Sequence, residues 1–211
     1  MHSKTFRRFA ALVSSALALA SASSLRADDP ASDHSLEAGA AYAWLQQPGG
    51  NAELAGYAAG LKYNLGKLLV TGLGLRADYR HLASPDGKGF RRDDIDADLR
   101  LDVSVVGILA PYVSAGLSFD HANTLAYNPE DGWDAGYALG AGVGITLVPG
   151  FIHTTPSVRF VSSDRLDTAT CTLDTAAHFT LVGVGLRVSY EDNLSRSGSL
   201  TSAVLYATLR F

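Results

Sequence analysis

The chain has 211 residues, 47% of them apolar and only 18% charged, with 17 Lys or Arg against 21 Asp or Glu. That size suits one domain, and the acidic balance excludes an electrostatic nucleic-acid binder. Its one cysteine, Cys171, excludes an internal disulfide and a cysteine-based metal cluster.

Residues 1–27 are expected to be a signal peptide. Lys4, Arg7 and Arg8 form a basic start, Phe9 to Ala20 is a short apolar run, and Ala20-Ser21-Ala22 and Leu25-Arg26-Ala27 each offer a small-x-small cleavage site. The run is too short for a transmembrane helix. The remaining 28–211 is read as one domain. It keeps 13 positive and 21 negative side chains, a net of −8, so its lumen or loops are expected to favour cations over anions.

Nine segments of period-two alternation follow in chain order, at about 35–45, 55–65, 68–80, 94–105, 112–120, 133–147, 152–163, 178–190 and 200–211. Most exceed the roughly 9 to 11 residues that a tilted strand needs to cross a bilayer. The connections alternate between short and long. Asn64 to Lys67, Val106 to Pro111 and Val148 to Phe151 read as tight turns. Gln46 to Leu54, His81 to Asp93 and His121 to Gly132 read as longer polar loops. Short turns on the periplasmic side and longer external loops are the habit of outer-membrane barrels.

The clearest strand is 94–105, Asp-Ile-Asp-Ala-Asp-Leu-Arg-Leu-Asp-Val-Ser-Val, polar at every even position. So much charge on one face and hydrocarbon on the other predicts a barrel strand, apolar face outward and polar face inward. The same parity puts Tyr57 to Leu65, Leu69 to Tyr79 and Trp133 to Leu147, taken at odd positions, on the lipid face. Inward lie Lys62, Arg76, Asp78, Arg80, Asp94, Asp96, Asp98, Arg100, Asp102, Arg159, Arg187 and Arg210, together with many glycines that leave room for long side chains.

A symmetric hairpin sets Arg80 opposite Asp94, Asp78 opposite Asp96 and Arg76 opposite Asp98. This predicts direct Arg80–Asp94 and Arg76–Asp98 ion pairs within a lumen charge network that includes Arg100 and Asp102. Aromatics gather near strand ends, as two interfacial girdles require. Tyr42, Trp44, Tyr57, Tyr79, Phe119, Trp133 and Phe160 are expected at the loop end, and Tyr63 and Tyr190 at the turn end.

The chain closes on Ala203-Val204-Leu205-Tyr206-Ala207-Thr208-Leu209-Arg210-Phe211, apolar at 203, 205, 207, 209 and 211. Here, and at 111–119 and 136–143, it resembles the small outer-membrane β-barrel proteins of Gram-negative bacteria, the OmpA/OmpX-like group and its generic porin-family relatives. The resemblance implies that Leu205, Ala207, Leu209 and Phe211 form an assembly signal read by the barrel-assembly machinery, with periplasmic chaperones as further partners. It lends a fold and a location, the cell outer membrane, and little about activity.

With both ends in the periplasm the strand number must be even. A weak strand at 167–173, followed by a turn at 174–177 and a fifth external loop at 191–199, gives ten; demoting 152–163, weakened by His153 and Pro156, gives eight. The fold class is therefore all-β, a transmembrane antiparallel up-and-down barrel of eight or ten strands.

Catalytic signals are thin. His81 near Asp93 and Asp94, and Asp120-His121, could form base-and-orienter pairs, but no serine stands out as a partner. The histidines have no metal-ligand spacing, and the Asp ladder lacks the central Gly of a Ca²⁺ loop. No catalytic residue, metal or cofactor is assigned. The leading expectation is a non-enzymatic, monomeric barrel with a narrow charge-filled lumen, in contact with outer-membrane lipid and lipopolysaccharide. Its role would be structural or adhesive, with loops 81–93 and 121–132 as contact surfaces, or that of a restrictive small-solute pore. A membrane-embedded hydrolase or acyltransferase acting on lipid or surface substrate is the alternative. A soluble periplasmic barrel or sandwich is the third reading, in which the apolar face would point inward.

Overall fold

The protein is described by a computed structural model covering residues 34–48, 50–68, 71–85, 89–103, 108–122 and 132–211. The expected signal peptide, Leu69, Val105, Asp86 to Lys88 and most of the loop at 121–132 lie outside the described residues.

Ten strands form one closed sheet: β1 (Ser35–Gln47), β2 (Gly50–Leu68), β3 (Thr71–Ala83), β4 (Arg91–Val103), β5 (Leu109–Ala122), β6 (Trp133–Val148), β7 (Ile152–Ser163), β8 (Asp167–Phe179), β9 (Val182–Asn193) and β10 (Ser199–Arg210). Each pairs antiparallel with its sequence neighbours, and β1 closes on β10, from Ser35 opposite Arg210 to Gln46 opposite Ser199. Closure leaves no unpaired sheet edge, a condition for any sheet in hydrocarbon.

The alternation sorts as the period of two predicts. Outward residues include Leu139 at 63% exposed, Leu205 at 65% and Tyr137 at 77%, whereas Asp94, Asp98 and Asp102 on the opposite face of β4 are buried. An apolar wall outside and buried charge inside overturn the soluble reading.

The strand count settles at ten, with several boundaries moved. β8 runs to Phe179, so the turn expected at 174–177 is strand, and the reversal falls at Thr180-Leu181. Thr180 takes φ 58°, a left-handed conformation that a β-branched residue rarely adopts. With neither Gly nor Asn at this hairpin, the usual signal is missing. The expected loop at 46–54 is a hairpin in which Gln47 pairs with Gly50. The expected turn at 64–67 is strand, with a bulge between Asn64 and Gly66. Pro156 does not end β7. Ser157 still pairs with Gly142 and Thr154 with Ile145, and the ladder to β6 skips Thr155 and Pro156, where an N–H is missing.

One feature of the interior is not charged. At the loop end, Leu45, Leu54, Leu82 and Leu200 point inward, fully buried, and pack with Phe90, Leu166 and Val204. Burial of each large side chain contributes about 1.5–3 kcal/mol. This cluster fills one side of the loop-side mouth.

Candidate functional site: the charged lumen

Arg92, Arg159 and Arg187 each hold more than one carboxylate, those of Arg92 and of Arg187 coming from three strands. Nearest the loops, Arg92 donates through Nε to Asp94 (2.7 Å) and Asp120 (2.6 Å) and through Nη1 to Glu191 (2.7 Å). Arg80 joins it, with Nε on Asp94 at 2.8 Å and Nη1 on the Ser202 hydroxyl at 3.1 Å. At mid-height Arg159 bridges Asp96 at 2.9 Å and Asp98 at 3.1 Å, and Ser118 donates to Asp96 at 2.6 Å. Toward the turns Arg187 holds Glu37 at 2.6 Å, Asp174 at 3.0 Å and Asp78 at 3.3 Å. Lys62 pairs with Glu37 and Arg76 with Asp78. A planar guanidinium with five donors suits such sharing, and buried carboxylates are tolerated only when paired and hydrogen-bonded.

Two tyrosines complete the filling. The Arg100 guanidinium lies 3.6 Å from the centre of the Tyr112 ring, and Tyr206 donates its hydroxyl to Asp174. Both rings lie over glycines on the neighbouring strand. A Cβ at Gly142 would come within 2.6 Å of the Tyr112 ring, and Gly185 is as tight against Tyr206. The glycines do admit the lumen side chains.

The expected register of β3 and β4 is observed, with Arg80 opposite Asp94, Asp78 opposite Asp96 and Arg76 opposite Asp98. The Arg80–Asp94 pair forms as expected. The Arg76–Asp98 pair does not: Arg76 bonds Asp78 two residues along its own strand, and Asp98 goes to Arg159 across the lumen. Arg100 similarly bonds Asp102. Positions two apart in a strand share a face about 6.6 Å apart, within an arginine's reach, so the Arg-x-Asp spacing was a usable signal.

Sequence reasoning missed Glu37, Arg92, Asp120, Asp174, Glu191 and Tyr206 as network members. Arg92, Asp174 and Glu191 had been assigned to loops or turns, and extending the strand parity would have found them.

Among the described residues, the lumen has a cavity of about 200 Å³ toward the loops and another of about 120 Å³ toward the turns. Lys62, Arg76, Arg100 and Asp174 line both. Lys62, Arg76 and Asp174, with Glu37, Asp78 and Arg187, form an ion-pair belt across the lumen between the chambers.

On the outer wall, Trp44, Tyr57, Trp133 and Tyr190 are exposed at the loop end and Tyr63 at the turn end. Tyr190 was expected at the turn end; because β9 rises from the turns, Tyr190 pairs with Thr201 near the loops. The turn-side ring is Tyr63, Phe151, Phe179 and Phe211, with His34 stacked on Tyr63 at 4.2 Å and Phe151 edge-on to Phe179 at 5.0 Å. Leu205, Leu209 and Phe211 are exposed, and Ala207 shares their outward face on β10.

The two histidines singled out earlier converge outside the barrel. Asp93 takes a hydrogen bond from Tyr79 (2.8 Å), pairs with His81 (2.7 Å) and Arg91 (2.9 Å), and lies 3.9 Å from His121. His121 therefore faces Asp93; its chain neighbour Asp120 points inward to Arg92. The Tyr79 hydroxyl donates to Asp93 rather than to a histidine.

No protein-family model and no curated protein matches the chain. Among solved structures it is similar to Neisserial surface protein A, at 15% identity over 84% of this chain and 97% of that one, TM-score 0.42. It is similar to Ail, the attachment invasion locus protein of Yersinia pestis, at 12% identity over 85% and 98%, TM-score 0.47. A further similar chain is the transport unit of the autotransporter AIDA-I from Escherichia coli, at 10% identity over 92% and 96%, TM-score 0.48.

Proposed function

We propose that the chain is a non-enzymatic, monomeric outer-membrane β-barrel whose lumen is closed by its own charge network. One observation carries this reading: the apolar face of a closed sheet points out, and the charged face points in and is cross-linked by arginine. The outward band, bordered at each end by aromatics, suits outer-membrane lipid and lipopolysaccharide. Residues 1–27 would direct export.

The belt of Lys62, Glu37, Arg76, Asp78, Arg187 and Asp174, with the apolar cluster above it, supports a structural or adhesive role over a pore. Recording from the purified protein in planar bilayers tests this. Closed baselines are expected, and steady conductance would establish the restrictive pore instead. In the same reading the barrel-assembly machinery, served by periplasmic chaperones, takes up the strand ending at Phe211. Deleting Phe211 is expected to cut the folded, membrane-inserted fraction severalfold, read by heat-modifiable gel mobility. An undiminished fraction would remove Phe211 from that role.

A further inference from the structure

We propose that Asp120 carries a proton at neutral pH and donates it to Asp94, so that the loop-side mouth of the lumen is tightened by acid and loosened by base. The two carboxyl groups face each other directly, as opposite residues of β4 and β5. Side chains so placed have Cβ atoms about 4.5–5.5 Å apart, and like charges there are destabilising. One guanidinium draws them closer still. Arg92 Nε donates to Asp94 at 2.7 Å and to Asp120 at 2.6 Å. The two carboxyl groups come within hydrogen-bonding reach of one another. An ionised carboxylate only accepts, so a bond between them exists only if one partner keeps its proton.

Counting charge gives the same answer. Arg80 and Arg92 together engage Asp94, Asp120 and Glu191, two positive groups against three negative ones. The side chains of Asp94, Asp120 and Glu191 are only 8%, 14% and 6% exposed. A buried excess charge is expensive, and the group neutralises instead. One proton balances these five groups. The other charged groups facing the pair do not supply a cation in its place. Asp134, opposite Asp120 on β6, is one more buried carboxyl group and takes a hydrogen bond from Ser163. Arg159 of β7 is bridged to Asp96 and Asp98 further along β4. From β10 comes the Ser202 hydroxyl, which takes Arg80 Nη1.

The partners also decide which member holds the proton. Asp94 receives both Arg80 and Arg92, which favour its ionised form. Asp120 receives Arg92 and is the more exposed of the two. Both line the cavity of about 200 Å³ toward the loops, which gives the proton a route of exchange. Rising pH draws that proton out and leaves two negative charges opposed across β4 and β5. The pair belongs to the lumen lining, so its proton does not depend on whether the barrel conducts.

Infrared absorption of the full folded chain in detergent reads the proton directly. At neutral pH the wild type is expected to show a carboxylic-acid carbonyl band, separate from the carboxylate bands, that fades as the pH is raised. Asp120→Asn and Asp94→Asn are each expected to lose that intensity. Either amide donates the hydrogen bond that the proton supplied, and the remaining groups are neutral without one. Should one variant fail to fold, the other carries the test. Asp134→Asn is expected to keep the band. Linkage supplies a second measurement. An unfolded aspartate, with a pKa of about 3.9, is ionised at neutral pH, so the folded chain binds one proton more than the unfolded one. In denaturant titrations the folding constant of the wild type should therefore fall with rising pH relative to Asp120→Asn, by up to about tenfold per pH unit. No acid carbonyl band in the wild type at neutral pH, a band undiminished in both Asn variants, or parallel pH profiles would overturn the shared proton.

Discussion

Arg92 shows how much a single side chain can hold. Its side chain is 6% exposed and is bonded to carboxylates of β4, β5 and β9. Removing one partner of a buried ion network strands the others, at a cost of about 3–5 kcal/mol. Arg80 remains on Asp94 and within 3.6 Å of Glu191, so Arg92→Met is expected at the lower end, about 3 kcal/mol, by thermal unfolding in detergent. Its chain neighbour Arg91, 58% exposed and bonded to Asp93 outside the barrel, is the comparison. Arg91→Met should cost under about 1 kcal/mol, and equal losses would show that the lumen does not act as a low-dielectric interior. Arg80–Asp94 was legible because a symmetric hairpin fixes its register. Arg92 was not, because the polar run ending at Asp93 reads as loop until the barrel shows β4 beginning at Arg91. The Arg76–Asp98 expectation failed on geometry within a strand: Asp78, two residues away on the same face, was the nearer carboxylate.

Among the elements, β4 was the easiest to read and β8 the hardest, for one physical reason. In β4 charge and hydrocarbon alternate without a break from Asp94 to Asp102, and the two faces differ by the full contrast between water and lipid. In β8 the inward positions are Thr168, Thr170, Thr172, Asp174, Ala176 and His178 and the outward ones include Thr175 and Cys171, so the faces differ little. The turn after β8 lacks Gly, Pro and Asn, leaving strand pairing to define it. The inward apolar cluster was equally hidden, since Leu54 and Leu82 fall in the expected loops at 46–54 and 81–93 and become inward strand positions only because β2 and β3 extend through them. The outward assignment of β4 makes a sharp prediction. Leu99 is 49% exposed and pairs with Leu75 and Ala115, mid-strand on both neighbours. Leu99→Lys is expected to cost about 2–4 kcal/mol when the barrel is folded into bilayers, as a cation near the midplane does. In a soluble barrel with this face in water the same change would be nearly neutral, so unfolding titrations in phospholipid vesicles separate the two cases.

At the scale of the whole molecule, parity and closure constrain each other. A chain entering and leaving on one side needs an even number of strands. The described chain satisfies this with ten, bringing His34 and Phe211 together through a 3.1 Å backbone hydrogen bond. Around eight strands, side chains just fill a barrel; two more leave some space, and here that space is divided by the ion-pair belt into two chambers. Arg187 holds the belt together, since it reaches Glu37 on β1, Asp78 on β3 and Asp174 on β8 at once. Arg187→Ala removes all three links and leaves those carboxylates facing Lys62 and Arg76, so the constriction both loosens and turns net negative. The variant is expected to show single-channel openings in planar bilayers that the wild type lacks. Under a KCl gradient its reversal potential should report preference for K⁺ over Cl⁻ by a factor on the order of 10, because a low-dielectric constriction of one sign concentrates its counter-ion. Anion-selective openings would mean that the belt does not set the narrowest point of the path. A variant that stays folded and silent would place the seal at the apolar cluster of Leu45, Leu54, Leu82 and Leu200.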